Sequence, residues 1–134
     1  MNISLIKICQ DLYKVPRSLT GKGVRETLKY FQKIVPFDIR EIKSGSKVFD
    51  WIVPPEWNLR YACIIEKETG KKIIDFENHR LHVVGYSEPI DQEMSYEQLV
   101  PYLYFLKDQP DAIPYVTSYY KRNWGFCLSY NDFK

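Results

Sequence analysis

Long hydrophobic runs are missing from this 134-residue sequence. None approaches the roughly 18–20 apolar residues that a helix needs to cross a bilayer, so the sequence offers no transmembrane helix and predicts no membrane partner. The opening stretch, residues 1–10, has neither a basic n-region nor a long apolar core, and it does not read as a secretory signal. An excess of one charge sign is missing as well. Nineteen basic residues against 17 acidic ones leave a formal charge of +2, too even for the broad basic face of a general nucleic-acid binder, so nucleic acid is not an expected partner. Cysteine is scarce: Cys9, Cys63 and Cys127 are odd in number and far apart. They read as reduced, mostly buried thiols of a cytoplasmic protein, not as a disulfide framework or a metal knuckle.

Aromatic residues are plentiful. Eleven Tyr, seven Phe and three Trp make up 16% of the chain, alongside 45% hydrophobic and 27% charged residues. That balance supports a folded core, and the length suits one domain or one domain with a short appendage.

The pattern along the chain predicts an α+β fold, with N-terminal helices followed by a mainly antiparallel β-rich domain. Ile3, Leu5, Ile6 and Cys9 share one side of a short opening helix that breaks at Val15-Pro16. A loop from Arg17 to Gly23 leads into a second helix, where Val24, Leu28, Phe31 and Val35 recur at helical spacing until Pro36 stops it. From Phe37 the period changes to 2: Phe37, Ile39 and Glu41 alternate with Asp38, Arg40 and Ile42, which predicts a strand. Residues 61–65 and 71–76 read as a hairpin closed by Gly70, and residues 81–86 as a further short strand. Ser95 with Gln98 three residues on forms a capping box, and Pro101 limits the helix that follows to about three turns or fewer. Residues 115–120 and 124–129 are rich in aromatic and β-branched residues, and either suits a strand.

No complete catalytic motif is present. His79 and His82 invite a metal reading, but on a strand their odd separation would send them to opposite faces. Thr20-Gly-Lys-Gly23 lacks the G-x-x-x-x-G-K-[ST] spacing of a phosphate loop and reads as a flexible lead into the second helix. Asp50, Glu56, Glu88, Asp91 and Glu93 supply carboxylates without a recognisable pair. Ser118 and Cys127 have nucleophilic atoms but no nucleophile elbow and no local base. The aromatic clusters around Trp51 and Trp57, and from Tyr115 to Trp124, have rings that could stack on sugars or bases, although packing is the commoner use of such residues.

Four longer blocks occur together in order: Arg17 to Leu28, Ser44-Gly-Ser-Lys-Val-Phe-Asp-Trp-Ile-Val-Pro-Pro-Glu-Trp57, Leu81-His-Val-Val-Gly-Tyr-Ser87, and Ile113-Pro-Tyr-Val-Thr-Ser-Tyr-Tyr-Lys-Arg-Asn-Trp-Gly-Phe-Cys127. They resemble a bacterial aminopeptidase-like family, domain of unknown function 2172, some members of which are labelled as polysaccharide-biosynthesis proteins. The resemblance implies zinc aminopeptidase relatives whose β-rich domain is inserted after the first helix and strand. By that analogy, residues 1–42 are the opening helices and strand of the peptidase domain, 43–115 the insert, and 116–134 the return into an incomplete peptidase-like sheet.

In the family, the metal-binding segment follows the Trp-Gly-Phe-Cys block, and this sequence stops seven residues past Cys127. The resemblance therefore implies a truncated, N-terminal portion without catalytic, cofactor or metal residues of its own, with zinc expected only in a longer family member. Its expected work is that of pocket wall, lid or interface, with the rest of the aminopeptidase-like domain, or a second copy, as partner. The alternative is a standalone binding module that meets a carbohydrate or a partner protein through an aromatic surface. The candidate interaction residues are Arg17, Trp51, Trp57, His82, Tyr119, Tyr120, Arg122 and Trp124. If the sheet that covers them is absent, Tyr119, Trp124, Phe126 and Leu128 are expected to form an exposed apolar patch.

Overall fold

A computed structural model of the protein describes residues 4–134. The chain divides into two compact units, Met1–Leu59 and Arg60–Lys134. The architecture is α+β, with two helices first and short, mostly antiparallel strand pairs after them.

In the first unit, α1 (Leu5–Tyr13) starts at Ser4, whose hydroxyl accepts from the Lys7 amide. Ile3 lies outside the described residues. Of the apolar residues in α1 only Leu12 is buried, and Leu5 and Ile6 face solvent. The helix α2 (Lys22–Gln32) carries the expected stripe, with Val24, Leu28 and Phe31 half-buried. It ends before Val35, because Val35 precedes Pro36 and is barred from helical backbone. The Ile34 and Val35 amides close back onto the Phe31 carbonyl instead.

The strand expected over residues 37–42 does not form. Its alternation mixes charged and apolar side chains on both faces, so neither face drives pairing. Side chains take up the segment's polar groups: the Gln32 amide donates to the Phe37 carbonyl at 2.9 Å, and Arg25 Nε donates to Glu41 at 2.7 Å. Strands β1 (Lys47–Val48) and β2 (Trp51–Ile52) pair antiparallel, with Val48 opposite Trp51, and lead into the buried pair Val53-Pro54.

The second unit holds the larger core. Strands β3 (Cys63–Ile65) and β4 (Lys72–Asp75) make the expected hairpin, with Ile64 opposite Ile74 and a bulge at Ile65. Gly70 closes its loop at φ +70, a left-handed backbone that costs a residue without a Cβ little. Residues 81–86 are not one strand. Arg80–His82 forms a 3₁₀ turn capped by the His79 ring, and only then does Val83 pair with Phe126 and Gly85 with Thr117. The capping box is present in full: Ser95 and Gln98 exchange hydrogen bonds at the start of α3 (Tyr96–Leu99). Pro101 then converts the helix to a 3₁₀ turn, Val100–Tyr102.

Strand β5 (Leu103–Tyr104) runs parallel to β6 (Phe126–Cys127), and the short helix α4 (Tyr130–Phe133) follows. Three separated stretches fill the core: Ile74 with Phe76, Val83 with Val84, and Phe126 to Leu128. Gly125 sits where a Cβ would lie 2.7 Å from both the Tyr102 carbonyl oxygen and the Tyr104 ring, so only glycine lets β6 approach this closely. The expected exposed patch is therefore corrected at Phe126 and Leu128, both buried among the unit's own residues.

Candidate interaction surface

The residues at the centre of the second unit are brought together by backbone bonds. The Val84 amide donates to the Gly125 carbonyl, Gly85 to Val116, Ser118 to Gly85 and Glu88 to Asn123, all at 2.8–3.0 Å. Residues 84–88 are thereby flanked by residues 116–118 on one side and 123–125 on the other. Residues 84–87 form a tight turn, closed by the Ser87 amide and the Ser87 hydroxyl on the Val84 carbonyl. Its third residue, Tyr86, has φ +66. Turns of this kind ordinarily place Gly or Asn there, because a Cβ is disfavoured in left-handed backbone.

The turn sets the Tyr86 ring edge-to-face against Tyr119, with centroids 5.1 Å apart and planes at 77°. The Tyr119 hydroxyl in turn shares a hydrogen bond of 3.1 Å with the Tyr115 hydroxyl. Three phenols thus form one continuous group, and Tyr115 is 68% exposed. The Tyr119 hydroxyl bond, followed by burial, holds the Tyr115 phenol above its usual pKa, so it stays a neutral O–H at neutral pH. Near the same turn, Glu88 lies 3.6 Å from the exposed Arg122 side chain. Ser118 Oγ is a buried side-chain oxygen without a hydrogen-bond partner.

The sequence-selected residues fall into two groups. Tyr119, Tyr120, Arg122 and Trp124 lie on one run of chain, with Tyr120 exposed and Trp124 half-buried. Trp124 stacks on Tyr102 at 4.0 Å and 12°, so one face of its indole is occupied. Trp51 and Trp57 lie in the first unit, Trp51 on β2 and Trp57 half-buried. Arg17 acts there as a brace: its guanidinium donates to the Leu12 carbonyl at 3.0 Å and the Thr27 hydroxyl at 3.5 Å. Tyr86 is not among the candidate interaction residues, and the sequence offers Glu88 only as an unpaired carboxylate. Their place depends on a turn with a left-handed residue that no turn-forming Gly or Asn announces.

The histidines need a correction. The opposite-face argument fails because a 3₁₀ turn places residues i and i+3 on one side, and the two rings lie 5.7 Å apart. The pair is nonetheless a poor ligand set. His79 Nδ1 accepts from the Leu81 amide at 3.2 Å, which puts its proton on Nε2. His82 Nδ1 lies 2.7 Å from the Cys127 carbonyl, so Nδ1 carries that ring's proton and only its Nε2 keeps a lone pair. Burial, then the neighbouring His82, lowers the His79 pKa. Among the described residues no group of three His, Cys, Asp or Glu side chains could hold a metal ion. Burial also pushes the Cys127 thiol up to about 11, which makes it inert as a nucleophile at neutral pH.

No helix among the described residues is long and apolar enough to cross a membrane. A Clostridium acetobutylicum protein is 46% identical over 129 residues, which is 96% of this chain and 30% of that protein. Its name provisionally assigns it to polysaccharide biosynthesis and gives it an aminopeptidase-like domain. A crystal structure from the same organism, of a protein provisionally described as a peptidase, superposes with a TM-score of 0.91 at 46% identity. It covers 95% of this chain, and the chain again spans 30% of it. Residues 56–134, which include the whole tyrosine group and the second unit's core, match a family described as a domain of unknown function, DUF2172. The chain belongs to the DUF2172 family.

Proposed function

We propose that this chain works in the cytoplasm as the non-catalytic N-terminal portion of an aminopeptidase-like metallohydrolase, where it contributes pocket wall, lid or interface. The observation that carries this reading is the near-complete match of the chain to under a third of an aminopeptidase-like relative, in sequence and in structure. The histidine pair offers one free imidazole lone pair and, among the described residues, no carboxylate completes a ligand set with it, so these residues do not fit a zinc centre. Zinc belongs, on this reading, to segments of a longer family member. The partner is then the rest of the aminopeptidase-like domain.

The test is reassembly. The remaining 70% of the C. acetobutylicum relative, produced as a separate chain, is mixed with this protein and run on size exclusion with light scattering. A one-to-one complex is expected. Two independent peaks at tens of micromolar would overturn the reading.

A second reading is favoured by one specific observation, the contiguous Tyr86–Tyr119–Tyr115 group. In that reading the chain is a binding module that meets a carbohydrate or a partner protein through this aromatic surface.

A further inference from the structure

We infer that Tyr86, Tyr115 and Tyr119, edged by Glu88 and Arg122, form a binding patch for a neutral pyranose unit of a glycan. This rests on the binding-module reading and names its ligand class. A pyranose presents a face of C–H groups and a rim of hydroxyls, and it needs a partner that is flat and apolar on one side and polar at its edge. A tyrosine ring supplies both. Tyr115 leaves most of its surface open, and its hydroxyl is held by Tyr119, so the polar edge has a fixed direction before a ligand arrives. The Tyr119 ring is braced in turn by Tyr86.

Tyr86 is the second, independent observation. Its backbone position favours glycine, yet a large aromatic residue stands there. Strained residues of this kind concentrate at ligand clamps, and the strain here sets the ring that supports Tyr119. The rim fits a polyol: the Glu88 carboxylate accepts and the Arg122 guanidinium donates, 3.6 Å apart, which matches the donor and acceptor pairing of vicinal hydroxyls.

Other ligand classes fit less well. A nucleic acid would meet Arg122 beside an acidic Glu88 on a chain of net charge +2. A protein partner would meet a run, residues 115–124, whose one aliphatic residue, Val116, is half-buried.

The test titrates the full chain with cellohexaose, maltohexaose and hexa-N-acetylchitohexaose, followed by saturation-transfer NMR and calorimetry. At least one hexasaccharide is expected to bind, with little change between 50 and 500 mM salt. Tyr115→Ala is expected to weaken it about tenfold and Tyr115→Phe, which keeps the ring face, by less. Tyr86→Gly is expected to weaken binding without lowering the melting temperature, which separates a supporting role from a fold defect. Absence of saccharide binding by the wild-type chain, or equal binding by Tyr115→Ala, would overturn the inference. If a saccharide binds but equally well to Tyr115→Ala, the inference falls and the binding-module reading stands. Should Tyr115→Ala instead abolish reassembly with the rest of the relative while no saccharide binds, the patch is the interface of the first reading, and the binding-module reading falls with the inference.

Discussion

The two units keep their shape in different ways. The second, Arg60–Lys134, is built around side chains: Val84 and Cys127 are wholly buried, and Ile74, Phe76, Phe126 and Leu128 are buried with them. Among its described residues the first, Met1–Leu59, buries two large apolar side chains, Leu12 and Val53, together with Pro54. Polar ties hold it together instead. Arg17 braces Leu12 and Thr27, Arg25 joins Glu41 and Glu56, the Tyr30 hydroxyl donates to Asp11, and the Lys22 amide donates to Asn58. Meanwhile Leu5, Ile6, Ile42, Phe49 and Ile52 stay exposed. An amphipathic pattern thus establishes that a helix or hairpin forms, and leaves open whether its apolar face meets a core.

Core truncation should divide the units most sharply. Phe126→Ala removes a buried ring from β6 and is expected to cost about 3–5 kcal/mol in urea unfolding. Ile6→Ala, at a side chain 71% exposed, should stay within about 0.5 kcal/mol. Comparable losses at the two sites would show that the α1 face is covered in solution and would break the contrast. In the first unit the sensitive position is a glycine. A Cβ on Gly23 would lie 1.9 Å from the Pro16 carbonyl oxygen, so Gly23→Ala forces the loop from α2 and is expected to cost about 1–3 kcal/mol. No loss there would show that the loop yields freely.

The same difference explains what the sequence made legible. Local chemistry was readable: the loop closed by Gly70, the Ser95–Gln98 capping box and the helix break before Pro16 depend on residues within five positions of each other. Non-local pairing was not. Residues 37–42 alternate but find no partner strand, whereas Val83 and Gly85 pair with residues more than 30 positions away. Of the interaction surface, Tyr119, Tyr120, Arg122 and Trp124 could be selected because they cluster in sequence. Tyr86 and Glu88 join them through long-range backbone bonds that no spacing encodes.

Acid should separate the units next. Asp75 is nearly buried at the end of β4, where Lys72 Nζ at 2.8 Å, the Glu77 amide and the Tyr61 hydroxyl converge on its carboxylate. The Lys72 bond, then the Glu77 amide, holds its pKa below the usual carboxylate range. A group depressed on folding stabilises the fold above its unfolded pKa, near 4, and that contribution drains away as pH falls through the folded value. The second unit is therefore expected to lose stability below about pH 4, and Asp75→Asn to flatten that acid limb. The first unit's Arg25 pairs are solvent-exposed, so Glu41→Gln should leave the acid limb unchanged. Equal flattening by both variants in pH-dependent urea titrations would assign the acid response elsewhere.

The smallest expected effect tests the first unit's exposed face directly. Val48 and Trp51 are joined by a two-residue turn, Phe49-Asp50, and Phe49 has φ +56. Two-residue hairpin turns call for left-handed backbone at this position, which favours glycine or asparagine. Phe49 is also 92% exposed, so its ring returns almost no burial for the backbone it strains. Left-handed backbone costs a residue with a Cβ about 1–2 kcal/mol, and the extra freedom of glycine in the unfolded chain takes back about half. Phe49→Gly is therefore expected to stabilise the chain by about 0.5–1 kcal/mol, and Phe49→Asn to move it in the same direction. Thermal unfolding at several protein concentrations is the measurement. A loss of stability on Phe49→Gly, larger at higher concentration, would mean that the ring is buried against a second copy in solution. The exposed apolar face of the first unit would then be an interface, and its apparent want of a core would be a property of the isolated chain.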